Sequence, residues 1–295
     1  MNIFSPVSLD EALNLMNSGK GQVLAGGTDL MLHIKHLKSQ KDSNLSPKFL
    51  VSLRNILQLN KVLMDEKDSV LKIGSCVTFS EILESSIIKE KFPALWDASL
   101  SVGSVQIRNI ATVGGNICNS SPAADAVPVL YALNAECVLS SVDGVRILPV
   151  DQVIIDKGKN CLKSNEILTE ILIPVGKQIN INSFSKLGKR NALAISRASV
   201  AFCFEVKNSE NPIIEKANIC TGSLGTKSNH EIEGEKYLIG KKLKDVNALV
   251  LADIVSSEVE ARLKGRSTLV YKKEAIKGLV LECIHKALVA TASEV

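Results

Sequence analysis

Short apolar runs bounded by glycine or polar residues alternate with apolar positions at helical spacing, and this alternation predicts the elements of the first half of the chain. Ser8-Leu9-Asp10-Glu11 is a capping box: the serine hydroxyl accepts from the Glu11 amide, the Glu11 carboxylate reaches back to the cap amide, and a helix follows that ends near Gly19. Residues 22–25 read as a short buried strand and Gly26-Gly27 as a turn. Thr28 then caps a second helix carrying Leu30, Met31, Ile34 and Leu37. Residues 49–53 and 70–74 are further strands, Thr78-Phe79-Ser80-Glu81 is a second capping box, and residues 93–102 form a helix. Pro122 follows Ser121 as a first helical residue, so residues 123–133 are expected to be helical. Residues 136–141 and 145–150, joined by Asp143-Gly144, read as a hairpin, and residues 167–173 as a strand stopped by Pro174.

Near residue 177 the pattern changes. Residues 184–187, 199–206 and 213–221 read as strands separated by polar turns, and helices follow over 233–239, 246–263 and 271–288, with Lys272, Lys273 and Lys277 on the outer face of the last. The expected division is a first domain over residues 1–177, with lobes of about 1–55 and 56–177, and a C-terminal α+β domain over 178–295 built on a three-stranded antiparallel sheet. No internal repeat or low-complexity tract interrupts it.

Composition narrows the function classes. A chain of 295 residues with 45% hydrophobic content can bury two or three compact units. Its formal net charge of +4, from 35 basic and 31 acidic residues, falls short of the clustered basicity of a nucleic-acid binder, and runs such as Lys241-Lys242-Leu243-Lys244 read as solvated faces. The N-terminus lacks a basic stretch followed by an apolar one, and no window is long and apolar enough for a membrane span, so a cytoplasmic protein is expected. The seven cysteines contain no C-x-x-C pair and read as buried thiols, outside zinc-ribbon, iron–sulfur and disulfide patterns.

Two segments carry candidate chemistry, Ala25-Gly26-Gly27-Thr28-Asp29 and Thr112-Val113-Gly114-Gly115-Asn116. A doubled glycine after an apolar run lets the backbone turn sharply and leaves its amides open, because no Cβ blocks a phosphate. Neither segment has the G-x-G-x-x-G spacing of a Rossmann fingerprint or the lysine and hydroxyl of a Walker A loop. Two such nests, with Thr28 at one helix start and Ser120 or Ser121 near another, suit a diphosphate held from two sides; each pair alone also reads as an ordinary turn. Asp29, Asn116, Asn119 and Asp125 offer short side chains for polyol hydroxyls, or else serve as caps and turn residues.

Acid–base and nucleophilic machinery is sparse. The histidines, at 33, 36, 230 and 285, show no paired-ligand spacing, no G-x-S-x-G elbow is present, and no carboxylate pair stands out. The reading therefore assigns no catalytic residue and no metal ligand to this chain, which is what a protein built around a redox dinucleotide requires.

These residues resemble the FAD-binding subunit, or middle domain, of the xanthine dehydrogenase and carbon monoxide dehydrogenase family. The resemblance spans nearly the whole chain and is strongest over Val23-Leu24-Ala25-Gly26-Gly27-Thr28-Asp29-Leu30 and from Gln106-Ile107-Arg108-Asn109 through Gly114-Gly115-Asn116-Ile117-Cys118-Asn119 to Ser121-Pro122-Ala123-Ala124-Asp125. It implies an α+β fold of the vanillyl-alcohol oxidase type, with FAD between two N-terminal lobes and a separate C-terminal domain. By matching positions, residues Val23 to Leu30, with Thr112, Gly114 and Gly115, would line the cofactor and its diphosphate. Asn116, Asn119 and Asp125 would face the phosphate and ribityl portion, and Leu168 and Lys186 would contact the flavin or its neighbourhood. Val102, Cys118 and Ala124 would also belong to the cofactor site, Ala124 replacing a serine of relatives. The resemblance further implies a small partner subunit with [2Fe-2S] clusters, a large molybdopterin subunit that hydroxylates a purine or other N-heteroaromatic, and NAD or another carrier as electron acceptor. A stand-alone flavin-binding reductase and a non-catalytic nucleotide-binding module are the alternatives.

Overall fold

The computed structural model describes residues 2–39, 47–176, 179–188, 195–207 and 211–292; the boundary expected at residue 177 lies outside them. The chain forms two compact units that interleave along the sequence. Met1–Ile82, Val105–Ser120 and Ala135–Ile173 make the first, and Leu83–Ser104, Ser121–Asn134 and Pro174–Val295 the second.

The first unit opens with β1 (Asn2–Phe4), β2 (Gly21–Leu24) and β3 (Phe49–Ser52), a parallel sheet in the order β1-β3-β2. The connecting helix Leu9–Met16 is capped as its sequence predicts, Glu11 N–H donating to Ser8 Oγ at 3.2 Å. The return bond lands one residue early, from Val7 N–H to Glu11 Oε2 (3.1 Å). Ala12, Leu13 and Met16 of this helix pack with Val51, Leu53, Ile56, Leu59, Cys76 and Ile167 in one apolar cluster. Its exclusion of water is the main force holding this region together.

Next come β4 (Val62–Asp65), β5 (Val70–Gly74), β6 (Glu136–Ser141), β7 (Gly144–Pro149), the short pair β8 (Ile154–Asp156) and β9 (Lys159–Asn160), and β10 (Ile167–Pro174). A five-stranded sheet runs β4-β5-β10-β6-β7. The hairpin predicted around Asp143-Gly144 is there, with Ser141 opposite Gly144. β1 and β4 have no sequence forecast.

The second unit is built on β11 (Ile179–Gly188), β12 (Ser196–Lys207), β13 (Ile213–Gly222) and β14 (Asn229–His230), an antiparallel sheet of four strands rather than the expected three. The added strand is two residues long and pairs Cys220 with His230 and Thr221 with Asn229. Phe202, Phe204 and Ile219 of the sheet pack with Leu251, Val255 and Val259 of the helix Ala248–Leu263 and with Ile276, Val280 and Ile284 of the helix Leu269–Ala292. Lys273 and Lys277, expected on the outer face, are half-buried and pair with Glu260 (3.2 Å) and Asp253 (2.9 Å) of the neighbouring helix. Lys272, expected there too, is also half-buried: it donates to Ser223 O, and burial lowers its pKa. The helix expected over 123–133 is shorter, Ala126–Ala132, because Ser121-Pro122 sits in a turn closed by Ala124 N–H on Ser121 O (3.0 Å). Among the described residues no helix is long and apolar enough to cross a membrane.

Candidate functional site

The first glycine pair leaves β2 through Val23, Leu24 and Ala25 and turns at Gly27, whose φ of +71° is the left-handed conformation that glycine adopts without penalty. A Cβ on Gly26 would stand 1.9 Å from Ile110 O and 3.0 Å from Ala111 Cα, so the turn lies directly against the backbone that enters the second glycine segment. This contact joins two motifs far apart in sequence. The N–H groups of Gly26, Gly27, Thr28 and Asp29 meet no acceptor among the described residues. The helix Leu30–Ser39 follows, His33 N–H donating to Asp29 O at 3.0 Å, so the exposed Asp29, rather than Thr28, immediately precedes it.

The second pair differs from its sequence reading. It lies in the first turn of a helix, Val113–Asn119, whose cap is Thr112. Gly115 N–H donates to Thr112 Oγ1 (3.0 Å), Gly114 N–H to Ser75 O (3.0 Å) and Asn116 N–H to Thr112 O (2.9 Å), so these amides serve the fold and do not stand open. Glycine is required at 114 for packing: a Cβ would come within 2.6 Å of Ser75 Cβ and Ser75 O. Ser120, expected near a helix start, instead closes this helix at φ +49°, its hydroxyl donating to Ile117 O (3.1 Å). The carboxamide oxygen of Asn116 is shielded from solvent and accepts no hydrogen bond from a described residue. A shielded acceptor of this kind calls for a donor from a ligand or from water.

Asn119 is exposed at the end of the helix. Cys118 is half-buried, its carbonyl accepting from Asn160 Nδ2 (2.8 Å), and burial pushes its thiol up to about 12, which leaves it unreactive at neutral pH. Cys161 is also half-buried, so two of the seven free thiols depart from the expectation that all are buried. Leu168 sits on β10 opposite Leu139 and is buried in the sheet.

Val102, Ala124, Asp125 and Lys186 belong to the second unit. Lys186 Nζ is 2.5 Å from Asp125 Oδ2 and donates to Ser101 O at 2.9 Å, beside Val102; both members of the ion pair are nearly buried. Burial pushes the Asp125 carboxyl up to about 6 against the opposing pull of Lys186. The carboxylate is therefore mostly ionised at neutral pH and compensates the lysine. Ala124 is buried and brings no hydroxyl. The structure thus collects residues 23–30 with residues 110–116 in one unit, and Asp125 with Lys186 and Ser101 in the other. Ile110, Ser75 and Ser101 were missed by sequence reasoning because they take part through backbone atoms, which no residue type announces.

Residues 1–176 match the family described as FAD binding domain in molybdopterin dehydrogenase, and residues 183–287 that described as CO dehydrogenase flavoprotein C-terminal domain. The chain is 30% identical to the nicotinate dehydrogenase FAD-subunit of Eubacterium barkeri, over 94% of this chain and 92% of that one. It is 33% identical to the glyceraldehyde dehydrogenase medium chain of Sulfolobus acidocaldarius, over 95% of each. Quinoline 2-oxidoreductase from Pseudomonas putida 86 shares the fold with a TM-score of 0.84 at 20% identity, over 99% of this chain and 98% of that one. Carbon monoxide dehydrogenase from Hydrogenophaga pseudoflava does so with a TM-score of 0.83 at 22% identity, over 98% and 97%.

Proposed function

Since this chain belongs to the FAD-binding family of molybdopterin dehydrogenases and is an oxidoreductase subunit, we propose that it is the electron-transfer flavoprotein of a hetero-oligomeric molybdenum hydroxylase acting on a purine or other N-heteroaromatic. It takes electrons from the [2Fe-2S] clusters of a small partner subunit, next to a large molybdopterin subunit, and passes them to NAD or another acceptor in the cytoplasm. The observation that carries this reading is the contact of Gly26 with Ile110, which sets a turn with uncommitted N–H donors against the approach to the second motif.

The residues present fit an FAD. A diphosphate needs N–H donors, which Gly26 to Asp29 supply, and close backbone approach, which Gly26 and Gly27 allow by lacking a Cβ. Asn116 Oδ1 is a shielded acceptor for a ribityl hydroxyl, and Asp29 and Asn119 are exposed polar side chains on the same two segments. Gly114 and Gly115 act by letting the helix Val113–Asn119 close on Ser75, so they shape the site without donating to it. Asp125, with Lys186 oriented by it, holds a compensated positive charge beside Ser101 and Val102. Bound FAD supplies one- and two-electron chemistry, which explains why acid–base residues are not needed here.

The division into an FAD-binding domain of the vanillyl-alcohol oxidase type over residues 1–177, in lobes of about 1–55 and 56–177, and a C-terminal domain over 178–295 belongs to the same reading, supported by the matches over 1–176 and 183–287. The test is purification of the full chain with its neighbours. A yellow chain that co-elutes with iron- and molybdenum-containing subunits, and whose colour bleaches on anaerobic addition of NADH, is expected. A colourless monomer that cannot be reconstituted with FAD overturns the assignment, and a yellow complex that NADH leaves unbleached overturns NAD as acceptor.

A further inference from the structure

At the edge of the four-stranded sheet, three metal-ligating side chains that sequence spacing does not group meet at one point. Cys220 of β13 and His230 of β14 are direct cross-strand partners, so their side chains leave the same face of the sheet side by side. The chain then enters the helix Ile232–Leu238, which returns Glu235 to the same spot. His230 Nδ1 is 2.8 Å from Glu235 Oε1 and 3.5 Å from Cys220 Sγ, and all three ligand atoms lie within 4.8 Å of one another.

We propose that Cys220, His230 and Glu235 bind a zinc ion. The donor set of one thiolate, one imidazole and one carboxylate is of zinc type. Tetrahedral zinc, with bonds of about 2.3 Å to sulfur and about 2.1 Å to nitrogen, holds those two atoms about 3.6 Å apart. The observed Sγ to Nδ1 separation of 3.5 Å is of that size, and because Sγ also stands 3.7 Å from Nε2 the imidazole must turn to aim its Nδ1 lone pair between the sulfur and the carboxylate. Nδ1 and Oε1 are at hydrogen-bond distance, and an ion in place of the shared proton needs them to part by roughly half an ångström. Glu235 Oε1 also accepts from Ile219 N–H at 2.9 Å, which ties the carboxylate to the edge of the sheet beside Cys220.

The surroundings limit how far the ligands can move. The His230 ring is stacked against Tyr131, with centroids 6.2 Å apart, which covers one of its faces. The next residues along both strands, Thr221 and Glu231, are tied together and to Arg262, which grips the buried Glu231 carboxylate at 2.9 and 2.8 Å. Cys220 is buried while the His230 side chain is 27% exposed, so an ion enters from the histidine side and keeps a fourth position for water. On binding, the Cys220 thiol loses its proton to solvent and Sγ forms the metal bond; nothing is oxidised or reduced. The site is independent of the FAD reading.

Equilibrium dialysis of the full chain against zinc, with elemental analysis, should find about one ion per chain. Cobalt(II) as a probe should show thiolate charge-transfer bands and the strong d–d bands of tetrahedral coordination. Cys220→Ser and His230→Ala should each weaken zinc binding by more than about 100-fold, beyond the 10- to 100-fold effect of removing a partner that only orients a ligand. FAD content should stay at the wild-type level in His230→Ala, which keeps this test separate from the cofactor assignment. Wild-type chain that retains no zinc, or zinc binding and cobalt bands that survive in His230→Ala, would overturn the proposal. His230 is partly exposed and its variant should fold, so it decides the matter even if Cys220→Ser does not.

Discussion

The two glycine pairs look alike in sequence and do different work. At Gly26-Gly27 the backbone turns through a left-handed residue, and four successive N–H groups meet no described protein acceptor. At Gly114-Gly115 the backbone is helical, and its N–H groups are consumed by Ser75 O and Thr112 Oγ1. One pair leaves donors for a ligand, and the other spends its freedom on close packing. Glycine doublets therefore carry two kinds of information, and only the hydrogen-bond ledger tells them apart.

The largest effect should come where the two segments touch. Gly26→Val places a Cβ into Ile110 O at 1.9 Å, with backbone on both sides and no flexible side chain to yield. We expect a loss of about 3 kcal/mol or more, read as insoluble protein or a lowered denaturation midpoint. A soluble variant of wild-type stability would show that the contact is dispensable.

A charge effect of similar size lies outside both pairs. Lys186→Met leaves Asp125 buried without its partner, and removing one member of a buried pair costs about 3–5 kcal/mol. Its pH dependence has a definite sign. The folded carboxyl, at about 6, lies above its ordinary value of 3.8, so in that window the native state holds a proton that the unfolded chain has released. The stability from this group is fully present below 3.8 and is lost as pH rises through about 6. Without Lys186 the carboxyl rises further, so the deficit of the variant should be greatest above pH 6 and shrink below it. Denaturant midpoints on both sides of that value give the answer, and a deficit that grows on acidification refutes the assignment.

Gly27→Ala and Gly115→Ala sharpen the contrast directly. The first forces alanine into φ +71° at about 1–2 kcal/mol and brings a Cβ to 3.0 Å from Leu24 Cδ1 and 3.3 Å from Met31 Cγ, which distorts the turn that presents the open donors, so FAD should be lost from a folded chain. The second brings a Cβ to 2.9 Å from Thr112 Oγ1; a weakened cap costs about 1 kcal/mol, and alanine returns about as much in helix propensity. Flavin content should then stay near wild type, and equal flavin loss in both variants would erase the distinction. The smallest effect belongs to Asn116→Ala, which removes one shielded acceptor and should weaken FAD binding by about 0.5–1.5 kcal/mol in a fluorescence titration.

What was legible in the sequence were features written in contiguous residues. The cap at Ser8, the reciprocal bonds between Thr78 and Glu81 and the hairpin at Asp143-Gly144 are all local chemistry, and all are found. The fourth strand of the second sheet was not legible, because β14 is two residues long and exists only through its pairing with β13. Thr112 also misled as part of a turn: a helix that opens on two glycines contradicts propensity, and packing against Ser75 is what overrides it.

The cofactor family was determined by the sequence alone, since the run from Val23 to Leu30 and that from Gln106 to Asp125 are contiguous and specific in combination. Only the tertiary structure decided which glycine amides remain open, that Gly26 rests on Ile110, that Asp125 compensates Lys186, and that Cys220 meets His230 and Glu235. Each of these depends on distance between residues remote in the chain, which local periodicity does not encode.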